Sequence, residues 1–242
     1  MILVGTAGWA LPREVQEHFA PGDSHLARYA SRFGLAEINS SFHRPHKRSL
    51  YEKWAAAVPA DFRFCAKLPK TITHERRLVD CEGPLGEFLD QAGGLGDKLG
   101  GLLVQLPPSF AFEAQVARAF LDMLRARFAG ALAMEPRHVS WFGEEADALL
   151  RELHIARVLA DPVRHEPGRA PGGWPQRVYL RLHGTPRVYY SSYEAPVLQQ
   201  LAARMRQAEA EGAEVWCIFD NTASGAAGGN ALELLRLLEE GR

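Results

Sequence analysis

Polar and ionisable side chains stand directly after short apolar runs, at the positions where buried strands would end. After the run Ala131–Met134 come Glu135, Arg137 and His138. A guanidinium beside a carboxylate keeps the carboxylate ionised, and a nearby histidine can exchange a proton with a substrate. The same kind of ending recurs along the chain at Glu37, Asn39, Lys67, Gln105, Asp161, Arg181, His183, Asp220 and Asn221.

These endings would meet if the strands were parallel, because the carboxyl ends of the strands in a β/α barrel all lie on one rim. Residues two apart on a strand point to the same side, so Arg181 and His183 would both face the cavity. Glu135 and His183 are the predicted general acid and base of such a site. Glu37 and Asp220 complete the predicted catalytic set, as carboxylates that pair with Glu135 or orient the substrate.

The basic residues near the same endings predict an anionic ligand. Lys67, Arg137, Arg181 and Arg44 would make this rim positive, although the whole chain has a formal net charge of −1. A phosphate or carboxylate on a small sugar- or nucleoside-like molecule fits that charge. Other side chains predicted to contact the substrate are Asn39, His74, Gln105, His138, Asp161, Asn221, Trp9, Tyr190 and Tyr193.

Each of these residues also has a structural interpretation. Glu135 and Arg137 would then form a salt bridge that closes the barrel, and His183 would be a buried histidine hydrogen-bonded to a carboxylate. Asp220 and Asn221 are residue types that commonly cap helices and form turns. The aromatic side chains would serve packing alone.

A divalent metal is the alternative that the acidic and histidine side chains leave open. The motifs HExxH, HxH and CxxC are absent from the sequence. Arg137 and Arg181 would also compete with a metal ion for the carboxylates. We therefore predict no cofactor and metal-independent catalysis. If a metal binds, its predicted ligands are Glu135, His138, Asp161, His183 and Asp220.

Eight short runs rich in Val, Ile, Leu and Phe predict strands that are covered on both faces. Stretches with a helical spacing of apolar residues separate them, such as Val116, Phe120 and Leu124. This alternation predicts an α/β fold with a parallel sheet. The predicted strands are Ile2–Gly5, Leu35–Ile38, Phe62–Lys67, Gly101–Leu106, Ala131–Glu135, Arg157–Ala160, Arg177–Leu182 and Glu214–Phe219.

The length of 242 residues favours a single TIM-type barrel domain spanning residues 1–242, with parallel strands inside and helices outside. An open doubly wound sheet is the alternative, but the motif GTAGW at Gly5–Trp9 is too short for the phosphate turn GxGxxG. The Pro- and Gly-rich segment Pro162–Pro175 is predicted to replace one outer helix by a loop. A second loop is predicted at Gly93–Gly101.

The composition, with 47% hydrophobic and 24% charged residues, is ordinary for a globular domain. The small net charge disfavours wholesale electrostatic binding of nucleic acid. The three cysteines lack zinc-ligand spacing, and no apolar run approaches the roughly 20 residues that cross a bilayer. Met1–Gly5 predicts a strand rather than a signal sequence. We therefore expect a cytoplasmic protein without membrane contact.

Seven blocks of sequence, in order from the first strand to the last helix, carry a family resemblance. They are GTAGW (5–9), EINSSFHR (37–44), FRFCAKLPKTITHERRL (62–78), QLPPSF (105–110), EPRHVSWF (135–142), YLRLHGTPRVYYSSY (179–193) and FDNTASGAAGGNALEL (219–234). In these blocks the chain resembles the YecE-like family. The resemblance implies a TIM-type barrel in a large, mainly prokaryotic family catalogued as a domain of unknown function. It implies no particular reaction.

Together these observations predict an enzyme that applies general acid–base chemistry to a small, polar, anionic substrate at the carboxyl rim. A metal-dependent phosphodiesterase or nuclease acting on nucleic acid is the first alternative. A non-catalytic module that binds a small ligand is the second. Isomerase, lyase and hydrolase chemistry stay equally open, and no oligomeric state is predicted.

Overall fold

Mostly parallel strands form a nearly closed barrel in the computed structural model, which describes residues 1–241. The strands are β1 (Ile2–Ala7), β2 (Leu35–Ile38), β3 (Arg63–Lys67), β4 (Leu99–Gln105), β5 (Ala131–Glu135), β6 (Ile155–Arg157), β7 (Leu159–Asp161), β8 (Gly172–Gly173), β9 (Arg177–Leu182) and β10 (Glu214–Phe219). Around the barrel their order is β9, β10, β1, β2, β3, β4, β5 and β6, with β7 beside β9 and β8 beside β6. The predicted α/β barrel is confirmed.

The sixth strand position is divided in two, and this division nearly closes the barrel. β6 pairs in parallel with β5, whereas β7 pairs in parallel with β9 on the other side. Between them the Val158 amide donates a hydrogen bond of 2.8 Å to the Met134 carbonyl. The single predicted strand Arg157–Ala160 is therefore wrong in detail, because the chain changes neighbours at Val158.

Two other strand boundaries differ from the predicted ones by two residues, and those predicted at Phe62 and Leu106 differ by one. β1 extends to Ala7, where it pairs with Glu37 of β2. β4 begins at Leu99, inside the predicted loop Gly93–Gly101, because Leu99 pairs with Phe64 of β3 next to a register shift. Sequence patterns are least reliable at such element ends, where tertiary pairing decides how far a strand continues.

Helices cover the outside of the barrel, and their apolar faces pack on the outer faces of the strands. Each large apolar side chain buried there contributes about 1.5–3 kcal/mol. The helices are α1 (His25–Tyr29), α2 (Ser40–His43), α3 (Arg48–Ala56), α4 (Glu82–Ala92), α5 (Ala114–Arg127), α6 (Glu144–Glu152), α7 (Ala195–Ala210) and α8 (Ala226–Glu240). Among residues 1–241, each helix is too short or too polar to cross a bilayer.

The predicted replacement of one outer helix is also confirmed. The chain between β7 and β9 forms the 3₁₀ turn Glu166–Arg169 and the two-residue strand β8, which runs antiparallel to β6. From Pro162 to Gly173 this segment contains six prolines and glycines, which disfavour a continuous helix.

The barrel interior changes from apolar to charged along the strands. Its apolar layers contain Leu35, Cys65, Leu103, Ala133, Tyr179 and Ile218. Side chains alternate between the two faces of a strand, so the next inward position lies two residues further on. Those next positions are occupied by Glu37, Lys67, Gln105, Glu135, Arg181 and Asp220.

Candidate functional site

Arg181 lies at the centre of a buried charged cluster at the carboxyl ends of the strands. It is 1% exposed, and its guanidinium donates to both oxygens of Glu37, from Nε at 3.0 Å and from Nη2 at 2.6 Å. Nη1 donates to Glu135 Oε2 at 2.6 Å, and Nη2 also reaches Asp220 Oδ2 at 2.9 Å. One guanidinium therefore binds three carboxylates that come from three different strand ends.

These ion pairs set the protonation of the cluster. Burial raises the pKa of Glu135, but Arg181 and Arg137 outweigh it and hold this pKa well below its ordinary value. Burial likewise opposes ionisation of Asp220, whose pKa is nevertheless lowered by Arg181 and His183. Glu135 and Asp220 are therefore ionised at neutral pH, where they accept hydrogen bonds and have no proton to donate.

His183 lies between two of these carboxylates. Its Nδ1 is 3.0 Å from Asp220 Oδ2, and its Nε2 is 3.4 Å from Glu135 Oε1 and 3.2 Å from Arg137 Nη2. Burial lowers the pKa of His183, but the hydrogen bonds to Asp220 and Glu135 outweigh this effect and raise the pKa above its ordinary value. The imidazole is thus fixed in orientation, and its protonated form is favoured more than that of a free histidine.

Lys67 lies beside the cluster without an ion-pair partner. Its side chain is 8% exposed, yet its Nζ has no carboxylate oxygen of residues 1–241 within 4.0 Å. The Nζ atom instead lies 4.1 Å from the centroid of the Phe42 ring, and His74 packs edge-on against that ring at 4.9 Å. Burial, together with the positive charge of Arg181, lowers the pKa of Lys67 to about 8.

Arg137 forms the open edge of the cluster. Its side chain is 11% exposed and pairs with Glu135. A cavity of about 390 Å³ begins at Arg137 and is lined further by His138, Arg164 and His165, with no acidic residue. Such a lining attracts anions.

Other predicted contact residues hold the surrounding loops together. Asn221 is buried and donates to Asn230 Oδ1 of α8 at 2.9 Å. The Tyr193 hydroxyl donates to Asp161 Oδ1 at 2.7 Å. Gln105 donates to the carbonyl of its own neighbour Leu106 at 3.0 Å. These contacts give the residues structural roles, although Asp161 and Gln105 are partly exposed.

The remaining predicted residues are distributed around the rim. The nearest to the cluster is Asn39, whose Nδ2 lies 3.4 Å from Asp220 Oδ1. His138 caps a 3₁₀ turn by accepting from the Ser140 amide. Three others lie apart from the cluster. Trp9 packs against Trp54 with ring centroids 5.1 Å apart, and Arg44 is exposed in a separate groove with Lys70. Tyr190 is 45% exposed, and its ring lies beneath the Arg187 guanidinium.

Two further site residues were missed by the sequence reasoning. The Tyr179 hydroxyl donates to Glu37 Oε2 at 2.9 Å. Tyr179 precedes Arg181 by two positions on β9, so the alternation that selected Arg181 and His183 also points to it. Tyr189 packs edge-on against His183 at 5.7 Å and has a left-handed φ of 69°. No sequence signal identifies Tyr189, because its position depends on the path of the loop.

A metal ion would find no preformed ligand set in this cluster. The carboxylates of Glu37, Glu135 and Asp220 all face Arg181. Within residues 1–241, no group of three or more His, Cys, Asp and Glu side chains is arranged to hold a metal. The metal-dependent alternative therefore gains no support from the geometry.

Sequence comparison relates the chain to proteins of one family. A family model described as "Protein of unknown function DUF72" matches residues 3–242. The UPF0759 protein YecE of Escherichia coli strain K12 is 34% identical over 167 residues, covering 66% of this chain and 59% of that protein. The UPF0759 protein YunF of Bacillus subtilis strain 168 is 22% identical over 269 aligned positions, covering 99% of this chain and 95% of that protein.

Solved structures show the same fold. A DUF72 family protein from Thermotoga maritima superposes with a TM-score of 0.80 and 26% identity, covering 99% of both chains. A DUF72 family protein from Enterococcus faecalis superposes with a TM-score of 0.82 and 24% identity, covering 99% of this chain and 96% of that one.

Proposed function

The chain belongs to the DUF72 family, as its resemblance to YecE-like proteins predicted, and on that premise we propose that its carboxyl rim binds a small anionic substrate to which His183 transfers protons. One observation carries the proposal. Asp220 fixes the buried imidazole through Nδ1, while Nε2 faces Arg137, the residue at which the basic cavity begins. An imidazole held in one orientation beside the proposed binding cavity can accept and donate a proton, as acid–base catalysis requires.

The charge balance supports an anionic substrate. Three carboxylates in the cluster face two arginines and one histidine. When that histidine is protonated, the three negative and three positive charges balance. Lys67 adds a positive charge that no carboxylate within 4.0 Å neutralises. An anion in contact with Lys67 and Arg137 would restore neutrality through charge-assisted hydrogen bonds.

Glu135 takes a positioning role in this proposal, in place of the acid role expected from the sequence. It is fully buried, and its lowered pKa leaves it without a proton at neutral pH. Its two oxygens face Arg181 and Arg137. Glu135 thereby holds the two guanidinium groups in place, and His183 is left as the acid–base group.

Isothermal titration calorimetry with inorganic phosphate tests the anion site. The wild-type protein is expected to bind, and Lys67→Met to weaken binding about tenfold or more, because a charge-assisted hydrogen bond contributes about 1.5–3 kcal/mol. Lys53→Met makes the same change at an exposed position on α3 and should leave the affinity unchanged. Equal affinity of all three proteins, or no binding by the wild type, would contradict the anion site.

Mass spectrometry of a soluble metabolite extract, before and after incubation with the protein, tests the catalytic role. The wild-type protein is expected to deplete an anionic metabolite, and His183→Gln to leave it unchanged. Unaltered phosphate binding by His183→Gln would show that the variant is folded. Retention of a metabolite by the wild-type protein without any conversion would select the non-catalytic binding module.

A further inference from the structure

Lys67 is the only buried lysine among residues 1–241, and it lies at the carboxyl end of β3, on the rim that carries the cluster. Its Nζ makes no hydrogen bond within residues 1–241. This nitrogen is nevertheless not fully enclosed and keeps some accessible surface. Nζ lies 4.1 Å from the centroid of the Phe42 ring, a cation–π contact that orients the nitrogen and leaves its other hydrogen-bonding directions unpaired. The nitrogen is therefore held in place and reachable from the rim.

The carboxylates that would ordinarily neutralise a buried ammonium are engaged by Arg181. Glu37 offers both oxygens to that guanidinium, and Glu135 and Asp220 offer one each. These carboxylates still favour the charged lysine from a distance, whereas burial and Arg181 favour the neutral amine more strongly. His74 packs edge-on against the same Phe42 ring, and burial together with the charges of Lys67 and Arg137 lowers the pKa of this histidine.

The neutral amine is the nucleophilic form of lysine. With a pKa of about 8, about one quarter of the Lys67 side chains are neutral at pH 7.5. An exposed lysine with the ordinary value of about 10.4 is neutral in only about one molecule in a thousand at that pH. The arrangement therefore provides a reactive amine on the same rim as the proposed acid–base histidine.

We propose that Lys67 forms an imine with its substrate, which identifies the substrate class as small anions that carry an aldehyde or ketone. The inference rests on the proposed function, because the anion site is what would hold such a molecule at the rim. The amine adds to the carbonyl carbon, a C–N bond forms, and a proton moves from nitrogen to oxygen to give a carbinolamine. The His183 imidazolium then protonates the hydroxyl, which leaves as water, and a protonated imine remains. No oxidant or reductant is consumed.

Reductive trapping on the wild-type protein tests the inference. The probe is glyoxylate, which carries an aldehyde and a carboxylate, with sodium cyanoborohydride to reduce the imine to a stable secondary amine. Peptide mapping by mass spectrometry is expected to find one carboxymethyl group on Lys67, formed at least tenfold faster than on exposed Lys53. Inorganic phosphate should slow this modification, because it competes for the same site. Lys67→Arg should lose the adduct and still bind phosphate.

The inference would be overturned if Lys67 were modified no faster than Lys53. Both lysines are compared in the wild-type protein, so the result does not depend on the folding of a variant. Calorimetry with phosphate on the same protein separates the two proposals. Phosphate binding without the Lys67 adduct removes the imine and keeps the anion site. A rapid Lys67 adduct that phosphate does not slow supports the reactive amine and removes the anion site.

Discussion

Arg181 and Lys67 are cations of the same cluster and both are buried, yet their surroundings differ. Arg181 donates to three carboxylates, whereas Lys67 has none within 4.0 Å. Burial disfavours both charges, but the carboxylates outweigh it only for Arg181, whose pKa is raised well above its ordinary value. The pKa of Lys67 is lowered to about 8. A buried cation thus becomes a structural centre or a reactive group, depending on its partners.

The residue types match these two positions. A guanidinium has five donors in a planar fork and stays charged, so it can bind several carboxylates at once. An ammonium on a flexible stem loses its proton readily when it is buried. The Arg181 side of the cluster is therefore expected to control stability, and the Lys67 side to control binding and reactivity.

The largest effect is expected from Arg181→Met, which removes the cation shared by three buried carboxylates and leaves Glu37 without any ion-pair partner within residues 1–241. Breaking a buried ion pair costs about 3–5 kcal/mol, so the free energy of unfolding measured in urea should fall by at least that amount. The Tm should fall by roughly 10 °C or more. The control Arg118→Met breaks only an exposed pair with Glu152, which solvent screens, so its loss should be far smaller. Similar losses for both variants would contradict the central role of Arg181.

Lys67→Met is expected to change stability in the opposite direction. Its pKa of about 8 corresponds to a burial cost on the order of 3 kcal/mol at neutral pH. Methionine fills a similar volume without that charge, so the free energy of unfolding should stay equal or rise by up to about 3 kcal/mol. Thermal unfolding beside the control Lys53→Met measures the change. A loss as large as that of Arg181→Met would place Lys67 in the structural part of the cluster.

The pH dependence of stability should reveal the contribution of His183. Because the folded protein raises the pKa of His183, folding favours the protonated imidazole. This stabilisation is complete below the unfolded value of about 6.5 and disappears as the pH rises through the folded value. The stability difference between wild type and His183→Gln should therefore shrink as the pH rises above about 6.5. An NMR titration that places the pKa of His183 below 6.5 would show that burial dominates.

The smallest effect is expected from Tyr189→Asn. Tyr189 is 44% exposed and has a left-handed φ of 69°, a conformation that asparagine tolerates better than tyrosine. Relief of this strain should offset the lost ring contact, so the free energy of unfolding should change by less than about 1 kcal/mol. The NMR pKa of His183 should shift, because the ring packs against it. The control Tyr190→Asn should leave that pKa unchanged. A loss of several kcal/mol would make Tyr189 part of the structural centre.

Some of the cluster follows from local rules. Alternation along β9 predicts that Arg181 and His183 face the interior, and the structure places them side by side there. The same rule also reaches Tyr179. It also places Asn221 opposite its inward neighbour Asp220, and the Asn221 side chain does turn outward to Asn230 of α8.

The sequence by itself determined the alternation of strands and helices and the inward parity of the polar side chains at the strand ends, because both depend on neighbours within a few residues. Only the tertiary structure decided which carboxylates Arg181 binds and that Lys67 is left without one. Such pairing depends on distances between side chains from opposite walls of the barrel. Those distances follow from the register and closure of the sheet, including the division of the sixth strand at Val158.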